Sequence, residues 1–177
     1  MRRISVVGNS GSGKTTLAER LAGDLGLTHV ELDGMFHQPD WTQLPEDEFR
    51  AQVAARLDEL PGGWVTCGNY RALQDVVWPR ADTVVWLDLP RSKIMRQVVH
   101  RTLRRVVTRE ELWNGNREPF ENLWAWDPER NIMRWAWTQH DKYVRRYAAA
   151  MVDPTWAQLT FVRLRSRAEI DRWLATL

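Results

Sequence analysis

Gly8-Asn9-Ser10-Gly11-Ser12-Gly13-Lys14-Thr15 decides how the rest of the chain is read. The run fits G-x-x-x-x-G-K-[ST] without a mismatch. Glycines let the backbone take positive φ and curl around an anion. Successive amides then point inward, and the following helix adds the positive end of its dipole. In this pattern Lys14 reaches the β- and γ-phosphates and the Thr15 hydroxyl ligates Mg²⁺. Gly8 to Thr15, with Thr16 behind them, is therefore expected to cradle the phosphates of ATP. The flanks agree. A short β-rich run at 4–7 precedes the loop, and Leu17, Leu21 and Leu25 follow at helical spacing, with Gly26 as the stop.

Outward from the loop, strands alternate with helices. Strands are predicted at 4–7, 29–32, 64–67, 83–89 and 159–164, and helices at about 15–25, 45–57, 92–107, 131–151 and 168–177. Pro45-Glu46-Asp47-Glu48 places acids in a first helical turn, where the helix dipole favours them. Ser166 with Glu169 three residues on reads as a helix cap. The alternation predicts an α/β fold, a five-stranded parallel sheet with helices on both faces. Ligands in such folds bind at the carboxyl ends of the strands. The 177 residues are expected to form one domain.

Composition excludes some classes. Hydrophobic content is 44 %, yet no apolar run approaches the roughly 18 residues of a membrane span. The basic start at Arg2-Arg3 leads into only a few apolar residues, so a secretory leader is not expected. The single cysteine, Cys67, permits no intrachain disulfide, and a cytoplasmic location is the expectation. Net charge is +2, but from Arg91 to Arg109 seven basic residues run without an acid. Such a stretch suits nucleic acid, a membrane surface or a small phosphate ligand. No nucleic-acid-binding module is recognisable, so a small-molecule acceptor is favoured.

Three carboxylates stand at predicted strand ends. Glu31 and Asp33 lie two apart, and share a face if the second strand continues that far. Asp33 is read as functional, while Glu31 is equally compatible with an exposed strand end. Asp88 superficially resembles the acid of a Walker B strand, but a capping role before Pro90 is favoured. After the third strand, Asn69, Tyr70 and Arg71 are candidates to contact an acceptor, with an ordinary turn as the alternative. Arg101, Arg105 and Arg109 recur every four residues. With no interleaved acids, this face is read as a lid at about 101–130 whose arginines, Arg101 and Arg105, meet the transferring phosphoryl group.

These stretches, with Trp78-Pro79-Arg80, Glu111-Leu112-Trp113-Asn114-Gly115-Asn116-Arg117-Glu118 and Arg163-Leu164-Arg165-Ser166, resemble P-loop kinases of the nucleoside-monophosphate-kinase and shikimate-kinase type. The resemblance is nearest to the adenylate-kinase-like bacterial group labelled DNA topology modulation proteins. It implies a three-layer P-loop NTPase fold with a helical lid, and phosphoryl transfer from ATP to a small-molecule acceptor. It further implies that Glu31 serves Mg²⁺, that Asp33 serves the acceptor, and that Arg165 lies on the adenine side. In adenylate-kinase-like relatives an Asp-Gly-x-x-Arg motif ends the third strand. Gly68 and Arg71 match it, but Cys67 replaces the aspartate. A nucleotide-driven switch acting through a partner is the alternative function.

Overall fold

The computed structural model describes residues 1–120, 126–127 and 131–177. The expected lid at 101–130 and the tryptophan-rich stretch at 124–137 therefore lie partly outside the described residues. Five parallel strands form one sheet in the order β2-β3-β1-β4-β5: β1 (Arg3–Gly8), β2 (Thr28–Glu31), β3 (Trp64–Cys67), β4 (Thr83–Leu87) and β5 (Thr160–Leu164). Strand β1 is central. Its residues Ile4, Val6 and Val7 are buried, as a strand covered on both faces requires.

Two hydrophobic clusters lie on the sheet. One gathers Ile4, Val6, Val65 and Val85 with Leu17 and Leu21 of α1 (Lys14–Leu25). The other gathers Val7, Val84, Trp64 and Trp86, with Phe49 and Val53 of α3 (Glu46–Asp58). Between them in sequence lies α2 (Leu32–Phe36), and after β3 comes the short α4 (Gln74–Val77). The long helices α5 (Arg91–Thr108) and α6 (Ile132–Ala150) and the terminal α7 (Arg167–Leu174) complete the layers. The expected caps hold. Gly26 ends α1 at φ 64°, and the Ser166 hydroxyl accepts from the Glu169 amide at 3.2 Å.

Three expectations need correction. Strand β2 stops at Glu31, so Asp33 does not share a strand face with it; Asp33 sits in the first turn of α2. The fourth strand stops at Leu87 rather than Leu89; the bond from the Asp88 amide to the Leu164 carbonyl at 2.8 Å is the last of its ladder with β5. The basic helix α5 is not a free lid along its length. Its Ile94, Val98 and Thr102 are buried, and Val98 presses on the phosphate loop.

Among the described residues no helix is long and apolar enough to cross a membrane.

Candidate active site

The loop after β1 is held from three sides. Gly8 donates its amide to the Asn69 side-chain oxygen at 3.0 Å, and the Asn69 amide returns a bond to the Gly8 carbonyl. The Asn9 side chain donates to Ala136 O on α6 at 2.7 Å and accepts from the Ser10 amide at 2.8 Å. On α5, Val98 lies where a side chain on Gly11 would be: a Cβ there would fall 2.2 Å from Val98 Cγ2. Gly11 at φ 77° and Gly13 at φ 90° adopt the left-handed geometry that such a cradle demands.

Within this frame the charges are arranged for an anion. Lys14 donates to the Asn9 carbonyl at 3.0 Å. Burial pulls its pKa down to about 8, against the opposing pull of Asp33. Arg101 donates to the Ser10 hydroxyl at 3.2 Å, and burial, then Arg105, lower its pKa. Ser12 Oγ, Arg101 Nε and Arg105 Nε are buried without hydrogen-bond partners. Glu110 approaches Arg105 only to 3.8 Å. Orphaned buried donors and hydroxyls cost free energy unless a ligand meets them. The oxygens of a bound polyphosphate fit that need.

Beside Lys14, the Thr15 hydroxyl lies 3.4 Å from Glu31. Cys67 faces the same point, its Sγ 3.9 Å from Thr15 Oγ1 and 3.3 Å from His29 Nε2. Burial first, then Glu31 and Asp33, push the Cys67 thiol up to about 12. It stays neutral and offers no thiolate. Thr15 and Glu31 would offer hard oxygen donors of the kind Mg²⁺ prefers.

Across from the loop, Asp33 receives a hydrogen bond from Tyr70 at 2.7 Å. The Tyr70 ring lies 4.9 Å from both Phe36 and Phe49. Trp113 lies over Gly34, where a Cβ would come within 3.0 Å of its Cδ1. Trp113 also stacks on His37 at 5.8 Å. Burial lowers the His37 pKa, with Asp33 opposing.

Trp113 belongs to a small turn closed by a bridge between Glu111 and Arg117. It docks on a second turn closed between His37 and Gln43. Asn114 donates to His37 O at 2.6 Å and Gly34 O at 3.2 Å. Asn116 donates to Gln38 O at 2.9 Å and accepts from the Trp41 amide at 2.9 Å. Trp41 Nε1 donates to Arg117 O at 3.0 Å.

Of the predicted residues, Lys14, Asp33 and Arg101 come near enough to interact electrostatically, and Thr15 meets Glu31; several others shift in role. Asn69 was expected at the acceptor; its side chain instead braces Gly8 and accepts from Tyr147 at 3.0 Å. Tyr70 was expected to stack on a ligand ring; it is packed in an aromatic cage and bonded to Asp33. Arg71 is exposed, with no ion pair among the described residues. Asp88, only 11 % exposed, spends its charge on Arg163 at 2.6 Å and Arg165 at 3.5 Å, which supports the structural reading of this acid. Arg165, placed on the adenine side by resemblance, is mostly exposed at the end of β5. Sequence reasoning gave no role to His37, Trp41, Asn114, Asn116 or Tyr147. The Asn114-Gly115 dipeptide marked a turn, but nothing local signalled where it would dock.

A glycine cradle on a central parallel strand, buried cations beside it and a carboxylate acting on them through charge fit a class of activity: a kinase, a phosphotransferase. Comparison with known proteins agrees. No family model matches the chain. It is 25 % identical over 136 residues to the shikimate kinase of Synechococcus elongatus, covering 66 % of this chain and 72 % of that one. It is 33 % identical over 116 residues to the shikimate kinase of Halorhodospira halophila, covering 58 % and 65 %. A solved shikimate kinase from Bacteroides thetaiotaomicron aligns over 99 % of this chain and 95 % of its own, with a TM-score of 0.55 and 15 % identity. That last likeness establishes the fold.

Proposed function

We propose that the chain uses ATP and Mg²⁺ to phosphorylate a hydroxyl of a small molecule held at Asp33. One observation carries this reading. The Tyr70-bonded Asp33 interacts electrostatically with both Lys14 and Arg101 beside the phosphate loop, where Arg101 Nε and Arg105 Nε are buried without hydrogen-bond partners.

The geometry supports the following roles. The loop amides, Ser12 and Lys14 hold the phosphate chain. Thr15 and Glu31 hold Mg²⁺, which supplies charge neutralisation for the phosphate oxygens. Asp33 orients the acceptor hydroxyl and takes its proton as the oxygen bonds to the γ-phosphorus and the bond to the leaving diphosphate breaks. Arg101 and Arg105 meet the charge that spreads over the transferring group. Of the expected lid at 101–130, the turn carrying Trp113 is the part proposed to roof Asp33, while α5 packs on the phosphate loop. Arg71 is free to anchor an anionic group on the acceptor, and Arg165 borders the adenine.

The curated relatives are shikimate kinases, which makes shikimate the first acceptor to test. The narrower kinship with the adenylate-kinase-like group is supported by the Gly68–Arg71 and Glu111–Glu118 stretches. Labelled ATP offered with shikimate, gluconate, nucleosides and nucleoside monophosphates should yield one phosphorylated product. Release of inorganic phosphate alone, with every acceptor, would overturn the kinase reading in favour of a nucleotide-driven switch.

A further inference from the structure

The geometry assigns Tyr70 as the positioning residue of the acceptor site: its phenol fixes the Asp33 carboxylate so that one oxygen is held and the other is turned to the acceptor hydroxyl. This rests on the kinase reading above and adds to it a residue with no phosphate or acceptor contact of its own.

Three observations carry it. The hydroxyl of Tyr70 donates to Asp33 Oδ1 at 2.7 Å, a short, well-made bond to a charged acceptor. Lys14 and Arg101 act on Asp33 through charge, but the Tyr70 hydroxyl makes the directional bond to its carboxylate. The donor is itself immobile. Its ring is enclosed by Phe36 and Phe49, whose own rings lie 5.0 Å apart. Tyr70 also leans on Gly68, where a Cβ would come within 3.2 Å of its Cδ2. Phe36 lies on the same short helix as Asp33, so cage and carboxylate are carried by one element.

The alternative role for a phenol here is proton transfer. Burial, then the negative charge of Asp33, push the Tyr70 pKa far above its ordinary value. The group remains a donor throughout the working range and cannot serve as a base. A carboxylate with one oxygen fixed presents the other in a narrow range of directions, and a base must lie within hydrogen-bond reach of its proton. Misplacement of a reacting group by about 1 Å can cost about a hundredfold in rate.

The test compares wild type, Tyr70→Phe, Asp33→Ala and the double variant, using labelled ATP and the acceptor that wild type phosphorylates in the panel above. Tyr70→Phe keeps the cage and deletes only the hydroxyl. It should lower kcat about ten- to a hundredfold, on the scale set by that misplacement. The KM for ATP and the melting temperature should stay close to wild type. In the Asp33→Ala background the same change should add almost nothing, because the carboxylate it positions is gone. Equal losses from Tyr70→Phe with and without Asp33 overturn the assignment, as does a wild-type kcat. Should Tyr70→Phe fold poorly, the coupling is read instead with 3,5-difluorotyrosine at position 70. That residue retains the ring and alters the donor, so a kcat that changes in wild type but not with Asp33→Ala supports the assignment, and one that changes equally in both overturns it. A wild type that makes no product with any acceptor overturns the kinase reading itself, and this assignment with it.

Discussion

The side-chain oxygen of Asn116 accepts the backbone amide of Trp41 at 2.9 Å, joining two turns that are 75 residues apart in sequence. Both turns are strained in the same way. Asp40, Trp41 and Asn114 all hold left-handed backbone angles, with φ between 55° and 58°. Such angles persist in non-glycine residues only where surrounding contacts over-determine them. Here the contacts are the two turns themselves.

Asn116→Ala removes both the bond from Trp41 and the bond to Gln38 at a buried position. The expected cost is about 1–3 kcal/mol, the penalty of leaving buried partners unmet. Hydrogen exchange at the Trp41 amide should accelerate, while strands β1, β3 and β4 keep their protection. Unchanged exchange at Trp41 would mean the turns are held by something other than these bonds.

Lys14 provides a dependence on pH. Its folded pKa lies at about 8, below the ordinary 10.5. Between those values the unfolded chain binds the extra proton, so the stability of the ligand-free protein should rise as pH increases from 8 towards 10.5. Triphosphate affinity should move the opposite way, since the ammonium form is the one that meets phosphate. Titration calorimetry from pH 7 to 9.5 should show weakening binding. Lys14→Ala should abolish tight triphosphate binding at every pH.

Asp33→Asn retains shape and removes the base. ATP affinity should be nearly intact and transfer should fall by about two to four orders of magnitude, the usual contribution of a positioned base. Single-turnover measurement with labelled ATP separates the two quantities. Wild-type transfer by this variant would remove Asp33 from the reaction.

Asp88→Ala should behave as a stability variant. It leaves Arg163, which lies 4.3 Å over the Trp86 ring, without its counter-charge. A loss of about 1–3 kcal/mol in denaturant unfolding is expected for a half-buried charged hydrogen bond. The kcat should be unaltered. A large fall in kcat at full stability would restore the Walker B reading of this acid.

Much of the architecture is written locally. The three inner strands are rich in β-branched or aromatic residues buried on both faces, and Val6, Val65 and Val85 report this without help from the rest of the chain. The helix stop at Gly26 and the cap at Ser166 are equally local. What the local signal lacks is the docking of one turn on another. Asp33-Gly34 reads as a turn by propensity, yet α2 forms there because Leu32 is buried beneath it and Trp113 closes over Gly34. Tyr70 looks like a ligand contact because nothing near it in sequence reveals Phe36 and Phe49. The basic face of α5 looks like a lid because its burying partner is the phosphate loop, far away in sequence. Side chains that serve other side chains were the least visible class.

Asn69 sits where two jobs meet. Its amide grips both the amide and the carbonyl of Gly8, and its neighbour Tyr70 governs Asp33. The loop after β3 is therefore not an exchangeable cassette. Anyone grafting a new acceptor loop onto this chain would have to transplant the asparagine with it, or lose the donor along with the old acceptor. The same tie restricts how the loop can vary: Arg71 is exposed and can change freely, whereas Gly68 and Tyr70 pack on Leu32 and Asp33 and cannot.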